Sequence, residues 1–181
     1  MAIRYCIGCH KRHPKHTMIP LSLDTGGSCV VARGPRSAWV CDSASCVKAV
    51  TNSPGPVSRS FKTRVRPHED LENQVNYWRA DRQKNALRLA HRSGLLVFSA
   101  GKDCDPSLDE TIWVATKDHT TDHQNQHINF ENSPICNLTL DVNSEAIVKI
   151  TGRPGCTLLG IRPGRATQSL IDSLRRWHDL G

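Results

Sequence analysis

The chain has 181 residues, which is enough for one or two domains. Leu, Ile, Val and Phe together make up 22% of the residues, so any hydrophobic core is expected to be lean. Apolar runs fall far short of the roughly 20 residues that span a bilayer, and residues 1–16 lack the apolar stretch of a signal peptide. This composition excludes a membrane-spanning helix and predicts a soluble cytoplasmic protein with reduced or metal-bound cysteines.

Positive charge is concentrated in the first 66 residues. The whole chain has a formal charge of +7, but residues 1–66 alone hold eleven Lys or Arg and only Asp24 and Asp42, a balance of +9. Such asymmetry indicates a polyanionic partner. Nucleic acid is favoured over a membrane surface, because no basic helix with a bulky apolar face occurs in this region. A merely solvated basic surface is the alternative.

The first 66 residues predict a small α+β domain. Strands are expected at residues 18–23, 29–32 and 37–41, with the turn sequence of residues 24–27 joining the first two as a hairpin. Asp42 is the predicted N-cap of a helix over residues 43–50, and a second, basic helix is predicted around residues 57–65 after a Pro-Gly-Pro break.

The remainder predicts an α/β/α sandwich with a mixed sheet at residues 81–181, after a linker or connecting helix at residues 67–80. Strands are expected at residues 95–99, 111–115, 137–140 and 156–161. Helices are expected at residues 81–92, 120–126, 144–150 (ending on Gly152) and 165–180. The last of these helices would place four apolar side chains on one face: Leu170, Ile171, Leu174 and Trp177.

Several segments of the first domain resemble the bacterial YlxR family. They are RYCIGCHKR at residues 4–12, Pro14-Lys15, Met18-Ile19, RSAWVC at residues 36–41 with Cys46 five residues on, and SRSFK at residues 58–62. Their order and spacing together carry the resemblance, which covers residues 4–66. It implies RNA binding, with modulation of ribonuclease P RNA and links to translation, and it also leaves open a nucleoid-associated regulator that binds DNA.

Residues 81–178 resemble, more loosely, the kink-turn-binding ribosomal protein superfamily. The matching segments are ALRLAHRSGL at residues 86–95, Gly101, IWVATKD at residues 112–118 and LLGIRPGRA at residues 158–166. The resemblance implies an α/β/α sandwich that contacts bent RNA through two loops, one after the first strand and one before the last helix. Lys102, Arg162 and Arg165 fall on these loops.

Four cysteines have the composition of a structural zinc site. Cys6 and Cys9 form a C-x-x-C pair, and Cys41 and Cys46 are separated by four residues. A zinc ion held by these thiolates would stabilise a small domain whose core is lean. Ordinary buried thiols are the alternative. His10, His13 and His16 are candidates either to replace a ligand or to contact phosphate.

The other cysteines and histidines carry weaker signals. Cys29, Cys104, Cys136 and Cys156 have no partner spacing and are interpreted as small apolar residues. His119, His123 and His127 recur every four residues, but their polar surroundings favour a solvated helix face over a metal site. The chain has no nucleophile elbow, phosphate-binding loop or dinucleotide fingerprint, so a non-enzymatic function is predicted.

Basic side chains are the candidate RNA contacts, since each phosphate neutralised by Lys or Arg releases counterions. Arg59, Lys62 and Arg66 are spaced to share one face of the predicted basic helix. In this half only Trp39 and Phe61 are candidate stacking platforms, which favours recognition of a folded RNA by its shape and backbone. The full set of candidate contacts is Arg4, Lys11, Arg12, Lys15, Arg36, Arg59, Lys62, Arg66, Lys102, Arg162 and Arg165.

These observations predict a bacterial protein that binds structured RNA, with ribonuclease P RNA or ribosomal RNA as the leading targets. Two alternatives remain. One is a DNA-binding transcriptional regulator, and the other is a zinc or thiol sensor whose basic surface is incidental.

Overall fold

A computed structural model describes residues 2–98, 111–118, 138–155 and 158–178. These residues form two compact units. The first contains the described residues up to Trp78 together with Arg176, Trp177 and His178, and the second contains those from Arg79 to Arg175. The fold is α+β, with helices beside antiparallel and mixed sheets. None of the helices in the described residues has the length and apolar character needed to cross a membrane.

The first unit begins with a two-stranded antiparallel arm. Strands β1 (Ile3–Tyr5) and β2 (Arg12–Pro14) pair so that Ile3 lies opposite Pro14 and Tyr5 opposite Arg12. The loop between the strands is closed by a hydrogen bond from the Cys6 amide to the Lys11 carbonyl at 2.9 Å. Because successive side chains of a strand point to opposite faces, Ile3, Tyr5, Arg12 and Pro14 share one face of the arm.

A three-stranded antiparallel sheet follows the arm. Its strands are β3 (Met18–Leu23), β4 (Cys29–Val31) and β5 (Ala38–Cys41), in the order β4-β3-β5. In the predicted turn, the Asp24 carboxylate accepts a hydrogen bond from the Ser28 amide at 2.8 Å. Gly27 has a φ of 77°, which suits glycine. The three predicted strands are therefore present, to within a residue at each end.

Helix α1 (Ala44–Thr51) begins one residue later than predicted, and its N-cap is Ser43 rather than Asp42. Asp42 directly follows the buried strand β5 and is itself 2% exposed, so its carboxylate lies inside the unit. Ser43 has the extended backbone of an N-cap, but its side chain makes no capping hydrogen bond and pairs instead with the Ser45 hydroxyl at 2.9 Å.

The second predicted helix begins three residues earlier than expected and ends before most of its basic residues. Residues 54–56, predicted as a break before the helix, form its first turn, because proline is tolerated at the start of a helix. Helix α2 (Pro54–Phe61) stops where Lys62 adopts a left-handed conformation, with a φ of 56°. The Ser58 hydroxyl then bridges to the amide and carbonyl of Val65, at 3.0 and 3.1 Å. Arg59 lies on the helix, whereas Lys62 and Arg66 follow its end. The prediction that these three residues share a helical face is therefore wrong.

The predicted connecting helix and the helix after it are one continuous helix, α3 (Leu71–Arg92). Its first two turns belong to the first unit, where Leu71 and Val75 are buried in the core and the Gln74 side chain accepts a hydrogen bond from the Val31 amide at 2.9 Å. The division between the units therefore lies within α3, between Trp78 and Arg79.

The second unit contains a four-stranded mixed sheet. Its strands are β6 (Leu96–Phe98), β7 (Ile112–Ala115), β8 (Leu138–Thr139) and β9 (Leu158–Ile161), in the order β6-β9-β7-β8. Among these described strands, only β7 and β8 are parallel to each other. The predicted strands match these in position, while the helix predicted at residues 120–126 lies outside the described residues.

Two further helices lie in the described residues of this half of the chain. Helix α4 (Ser144–Thr151) ends on Gly152 as predicted, with a φ of 72° at that glycine. Helix α5 (Gln168–Trp177) begins three residues later than predicted, because the Thr167 hydroxyl donates to the carbonyls of Arg162 and Gly164 and closes a turn before it. Leu170, Ile171 and Leu174 are buried in the core of the second unit as predicted, whereas Trp177 packs against the core of the first.

Candidate metal centre and basic surface

The structure brings together the four cysteines predicted to bind a metal ion. Cys6 and Cys9 lie in the loop of the arm, Cys41 is the last residue of β5, and Cys46 lies in the first turn of α1. Their sulfur atoms all lie within 4.8 Å of one another. Three separate elements of the first unit therefore contribute thiols to one cluster, which is close enough to hold a metal ion.

The loop of the arm is packed tightly against the other half of the cluster. The Ile7 amide donates a hydrogen bond to the Trp39 carbonyl at 2.9 Å, which joins the loop to β5. A Cβ atom at Gly8 would come within 3.1 Å of the Cys46 carbonyl oxygen and 3.2 Å of its Cα. Only glycine fits at this position without displacing the first turn of α1.

Cys6 is the most strongly stabilised thiolate of the cluster. The hydrogen bond to Cys41, together with the amides of Cys9, Cys41 and Gly8, lowers the pKa of Cys6 to about 4, although burial opposes this shift. The three amide nitrogens lie 3.2 to 3.4 Å from the Cys6 sulfur. Cys6 is completely buried, so these amides replace the hydration that its negative charge would otherwise receive.

The neighbouring thiols are held in the protonated form. Burial and the negative charge of Cys6 raise the pKa of Cys46 to about 12. The hydrogen bond to Cys6, followed by burial, raises the pKa of the Cys41 thiol well above its usual range. A bound divalent cation would instead favour the thiolate forms of these cysteines, because metal ligation requires thiolates and releases their protons.

An open cavity of about 310 Å³ adjoins the cluster, and its lining is basic. Lys11, His13 and Arg176 line it beside Cys9 and other residues of the cluster and of the start of α1, and no acidic side chain is among the described lining residues. Lys11 and Arg176 lie where their positive charges offset the negative charge that thiolate ligands would carry.

The histidines proposed as replacement ligands do not join the cluster. Within the described residues the only group of possible metal ligands consists of the four cysteines. His13 lines the adjoining cavity, whereas His10 and His16 are exposed.

Cys29 behaves as the small apolar residue that was predicted. It is fully buried, and burial raises its pKa to about 11. The remaining predicted cysteines and the histidine series lie outside the described residues: Cys104, Cys136, Cys156, His119, His123 and His127.

The surface formed by residues 2–66 is more basic than their sequence suggests, because one of their two acidic residues is hidden. Asp42 is 2% exposed, and Asp24 is half-buried with its carboxylate bonded to the Ser28 amide. Residues 67–78 of the same unit add three exposed acidic side chains, Glu69, Asp70 and Glu72. The candidate cations of this unit form no ion pair within the described part of the chain. Those that are exposed are Arg4, Lys11, Arg12, Arg36, Arg59, Lys62 and Arg66, while Lys15 is half-buried.

The two aromatic residues predicted as stacking platforms are both buried. Trp39 is 8% exposed and Phe61 is 4% exposed, because each belongs to the core of the first unit. Tyr5 is instead 56% exposed, and the Arg12 guanidinium carbon lies 4.9 Å from the centre of its ring. Tyr5 is not among the residues predicted from the sequence. The alternation of Ile3 and Tyr5 along the strand places them on one face, but it does not indicate that this face is exposed.

Of the predicted contacts in the second half, Arg162 and Arg165 are exposed residues of the turn between β9 and α5. Gly164 in this turn packs closely on Leu95, since a Cβ atom there would come within 2.9 Å of the leucine side chain. Lys102 lies outside the described residues.

Comparisons with protein-family models, with curated proteins and with solved structures gave no match for this chain.

Proposed function

We propose that this protein is a non-enzymatic RNA-binding protein that recognises structured RNA through its basic first unit. The observation that carries the proposal is the set of exposed cations on that unit, which form no ion pair within the described residues, while one of its few acidic side chains is buried. Such a surface attracts a phosphate backbone and gives affinity that falls steeply with salt. The resemblance of residues 4–66 to the YlxR family points in the same direction and makes ribonuclease P RNA and ribosomal RNA the first targets to test.

We further propose that the four cysteines hold one structural zinc ion. The donor set fits, because four thiol sulfurs from three elements lie within 4.8 Å of one another and Cys6, Cys41 and Cys46 are buried. Four thiolates complete the tetrahedral coordination that zinc prefers and leave no position open for substrate. The role of the ion is therefore to hold the arm against β5 and α1.

For the second unit we propose the α/β/α arrangement implied by its resemblance to kink-turn-binding proteins. Its four-stranded mixed sheet and helices α4 and α5 are compatible with that arrangement. Arg162 and Arg165 would give this unit a weak RNA contact of its own. Binding by the first unit would raise the local RNA concentration at that contact.

Retention of the full protein on three immobilised nucleic acids tests the proposed function. The probes are a folded ribonuclease P RNA, a duplex DNA and an unstructured single strand, each at low and high salt. We expect the strongest retention on the folded RNA and a marked loss at high salt. Stronger retention on duplex DNA would favour the transcriptional regulator, and no retention on any probe would contradict nucleic-acid binding.

A zinc or thiol sensor calls for a different measurement. For a sensor, metal loss or oxidation would change the protein's state without any requirement for a nucleic acid. Metal content and free-thiol content, measured before and after mild oxidation on protein that fails to bind RNA, would identify that function.

A further inference from the structure

Tyr5 lies on a face of the arm that the rest of the first unit does not cover. Ile3 is 57% exposed and Tyr5 is 56% exposed. Both belong to β1, and their cross-strand partners Pro14 and Arg12 are exposed on the same face. Exposed bulky side chains grouped in this way mark an interaction surface more often than isolated ones do.

The charge around this face indicates what covers it. Residues 1–23 contain no acidic side chain, whereas Arg4, Lys11, Arg12 and Lys15 all lie in or next to the arm. Arg12 sits against the Tyr5 ring, and the Lys15 ammonium lies 5.2 Å from the centre of the Trp39 ring. An aromatic ring among cations complements a base and its flanking phosphates, whereas an apolar protein partner would have to desolvate these charges.

The loop of the arm is held against the core of the first unit. The Ile7 amide in this loop donates to the Trp39 carbonyl at 2.9 Å, while the Lys15 amide donates to the Ala2 carbonyl at 2.8 Å and extends the pairing of β1 with β2. The cysteine cluster adds a further attachment at the loop. The Tyr5 ring is thus presented on a two-stranded support anchored to the core, which lowers the entropy cost of ordering it on a ligand.

We propose that Tyr5 and Arg12 form a stacking platform for an unpaired base of a structured RNA. The ring and the guanidinium are both planar groups on which a splayed-out base stacks, and the neighbouring cations take the flanking phosphates. This inference rests on the proposed RNA-binding function and deepens it. The preferred ligand is a folded RNA with a bulged or looped-out nucleotide, rather than a continuous duplex.

The test compares two RNA hairpins that differ only in a single bulged nucleotide, each titrated with the full protein. We expect the wild type to bind the bulged hairpin more tightly. Tyr5→Ala should weaken binding to that hairpin by about tenfold and remove the preference, since one base stacked on an aromatic residue contributes roughly this much. Tyr5→Phe should retain the preference, and Tyr5→Leu should lose it because leucine has no aromatic face.

Tyr77 provides a matched control. It is 76% exposed on α3, and no basic residue lies three or four positions from it on the helix. Tyr77→Ala should leave binding of both hairpins unchanged. A 2-aminopurine placed at the bulge gives a second readout, because stacking on Tyr5 should quench its fluorescence in the wild type and in Tyr5→Phe but not in Tyr5→Ala.

The outcomes separate the two proposals. If the wild type binds both hairpins equally and Tyr5→Ala has no effect, the stacking platform is wrong while RNA binding stands. If Tyr5→Ala weakens both hairpins to the same extent without any change in quenching, Tyr5 only stabilises the arm, and the platform is again wrong. If the wild type binds neither hairpin nor the folded ribonuclease P RNA, the proposed function fails together with the platform.

Discussion

The backbone amide of Cys41 donates a hydrogen bond to the sulfur of Cys6, at a nitrogen-to-sulfur distance of 3.2 Å. This hydrogen bond joins the end of β5 to the arm at the point where the arm turns. A thiolate accepts a hydrogen bond more strongly than a thiol does, so this attachment is strongest when Cys6 is ionised, and a bound metal ion would keep it ionised. The position of the arm, and of the basic residues on it, is thereby linked to the state of the cysteine cluster.

We expect protein purified under reducing conditions to contain one zinc ion per chain, measured by elemental analysis. Cys41→Ser should lose the metal and unfold the first unit while the second stays folded, because the binding free energy of a structural zinc is largely folding free energy. Amide hydrogen exchange, measured in β3 of the first unit and in β9 of the second, would show which unit has unfolded.

Cys29→Ser is the control for the zinc prediction. Cys29 is a buried thiol of the same unit that lies outside the cluster. The Cys29→Ser variant should therefore keep its zinc, and any loss of stability should come only from poorer packing around the substituted side chain. Protein without stoichiometric metal, or equal metal content in both variants, would contradict the zinc site.

Charge reversal at Arg59, Lys62 and Arg66 together should weaken binding to folded RNA and make the affinity less dependent on salt. The three side chains are exposed and lie on and after α2, so the reversals should leave the core intact. For every phosphate that is no longer neutralised, the slope of log affinity against log salt should become shallower by about one. Affinities measured at several salt concentrations give that slope.

Three cations of the second unit serve as the matched control for these reversals. Lys84, Arg88 and Arg92 lie on the part of α3 that belongs to the second unit. Reversing them changes the net charge of the chain by the same amount. Equal effects from the two triple variants would show that binding follows total charge rather than a site on the first unit.

Changing Arg162 and Arg165 to Ala in the full chain should weaken binding to a structured RNA by no more than about tenfold, or ~1.4 kcal/mol. Their unit has nearly balanced charge, with twelve Lys or Arg and eleven Asp or Glu, so it adds to binding by the strongly basic first unit rather than replacing it. The full chain is the appropriate protein for this measurement. A cut after residue 66 would remove Leu71 and Val75 from the core of the first unit. An unchanged affinity would make the second unit a scaffold.

Removing one partner of the Arg79 and Asp141 ion pair should strongly destabilise the second unit. Arg79 is 1% exposed and its guanidinium lies 2.7 Å from the Asp141 carboxylate, which also accepts a hydrogen bond from Gln83 at 2.7 Å. Asp141→Ala leaves a buried cation without its anion, which should cost about 3 kcal/mol in urea denaturation. The exposed pair of Glu145 and Lys149 is the control, and Glu145→Ala should leave the denaturation midpoint unchanged.

Asp118 should make the stability of the second unit sensitive to acid. Burial opposes its ionisation, but hydrogen bonds from Ser144 and Thr116 dominate and lower the pKa of Asp118 from its ordinary value of 3.8 to about 2. The folded state therefore binds this proton less readily than the unfolded state. Its contribution, about 1 kcal/mol after allowance for solvent, is complete above pH 4 and is lost as the pH falls through 2.

The Asp118→Asn variant tests this dependence. The difference in unfolding free energy between wild type and variant should be largest near neutral pH and should shrink between pH 4 and 2. Urea titrations followed through the NMR signals of α4 amides report on the end of the helix where Ser144 bonds to Asp118. A difference that stays constant with pH would contradict a role for the ionised carboxylate.

Features that depend on local chemistry were predictable from the order of the amino acids. The turn at Asp24 and Gly27 needs an acceptor side chain and a positive φ, the end of α4 needs Gly152, and the strands follow from short apolar runs. The C-x-x-C spacing of Cys6 and Cys9 is likewise a local feature of the sequence. Neighbouring residues decide these features, with little influence from the rest of the chain.

Other features depend on how distant segments pack against one another. The meeting of Cys6 and Cys41 requires the hydrogen bonds that join the loop of the arm to β5. The end of α2 requires that the Ser58 hydroxyl form hydrogen bonds with the backbone of Val65. Trp39 and Tyr5 are aromatic residues in strands, yet one lies in a sheet packed on a core and the other on an uncovered arm. A strand pattern indicates which residues share a face, but only the packing of one element on another determines which face meets the core and which meets a partner.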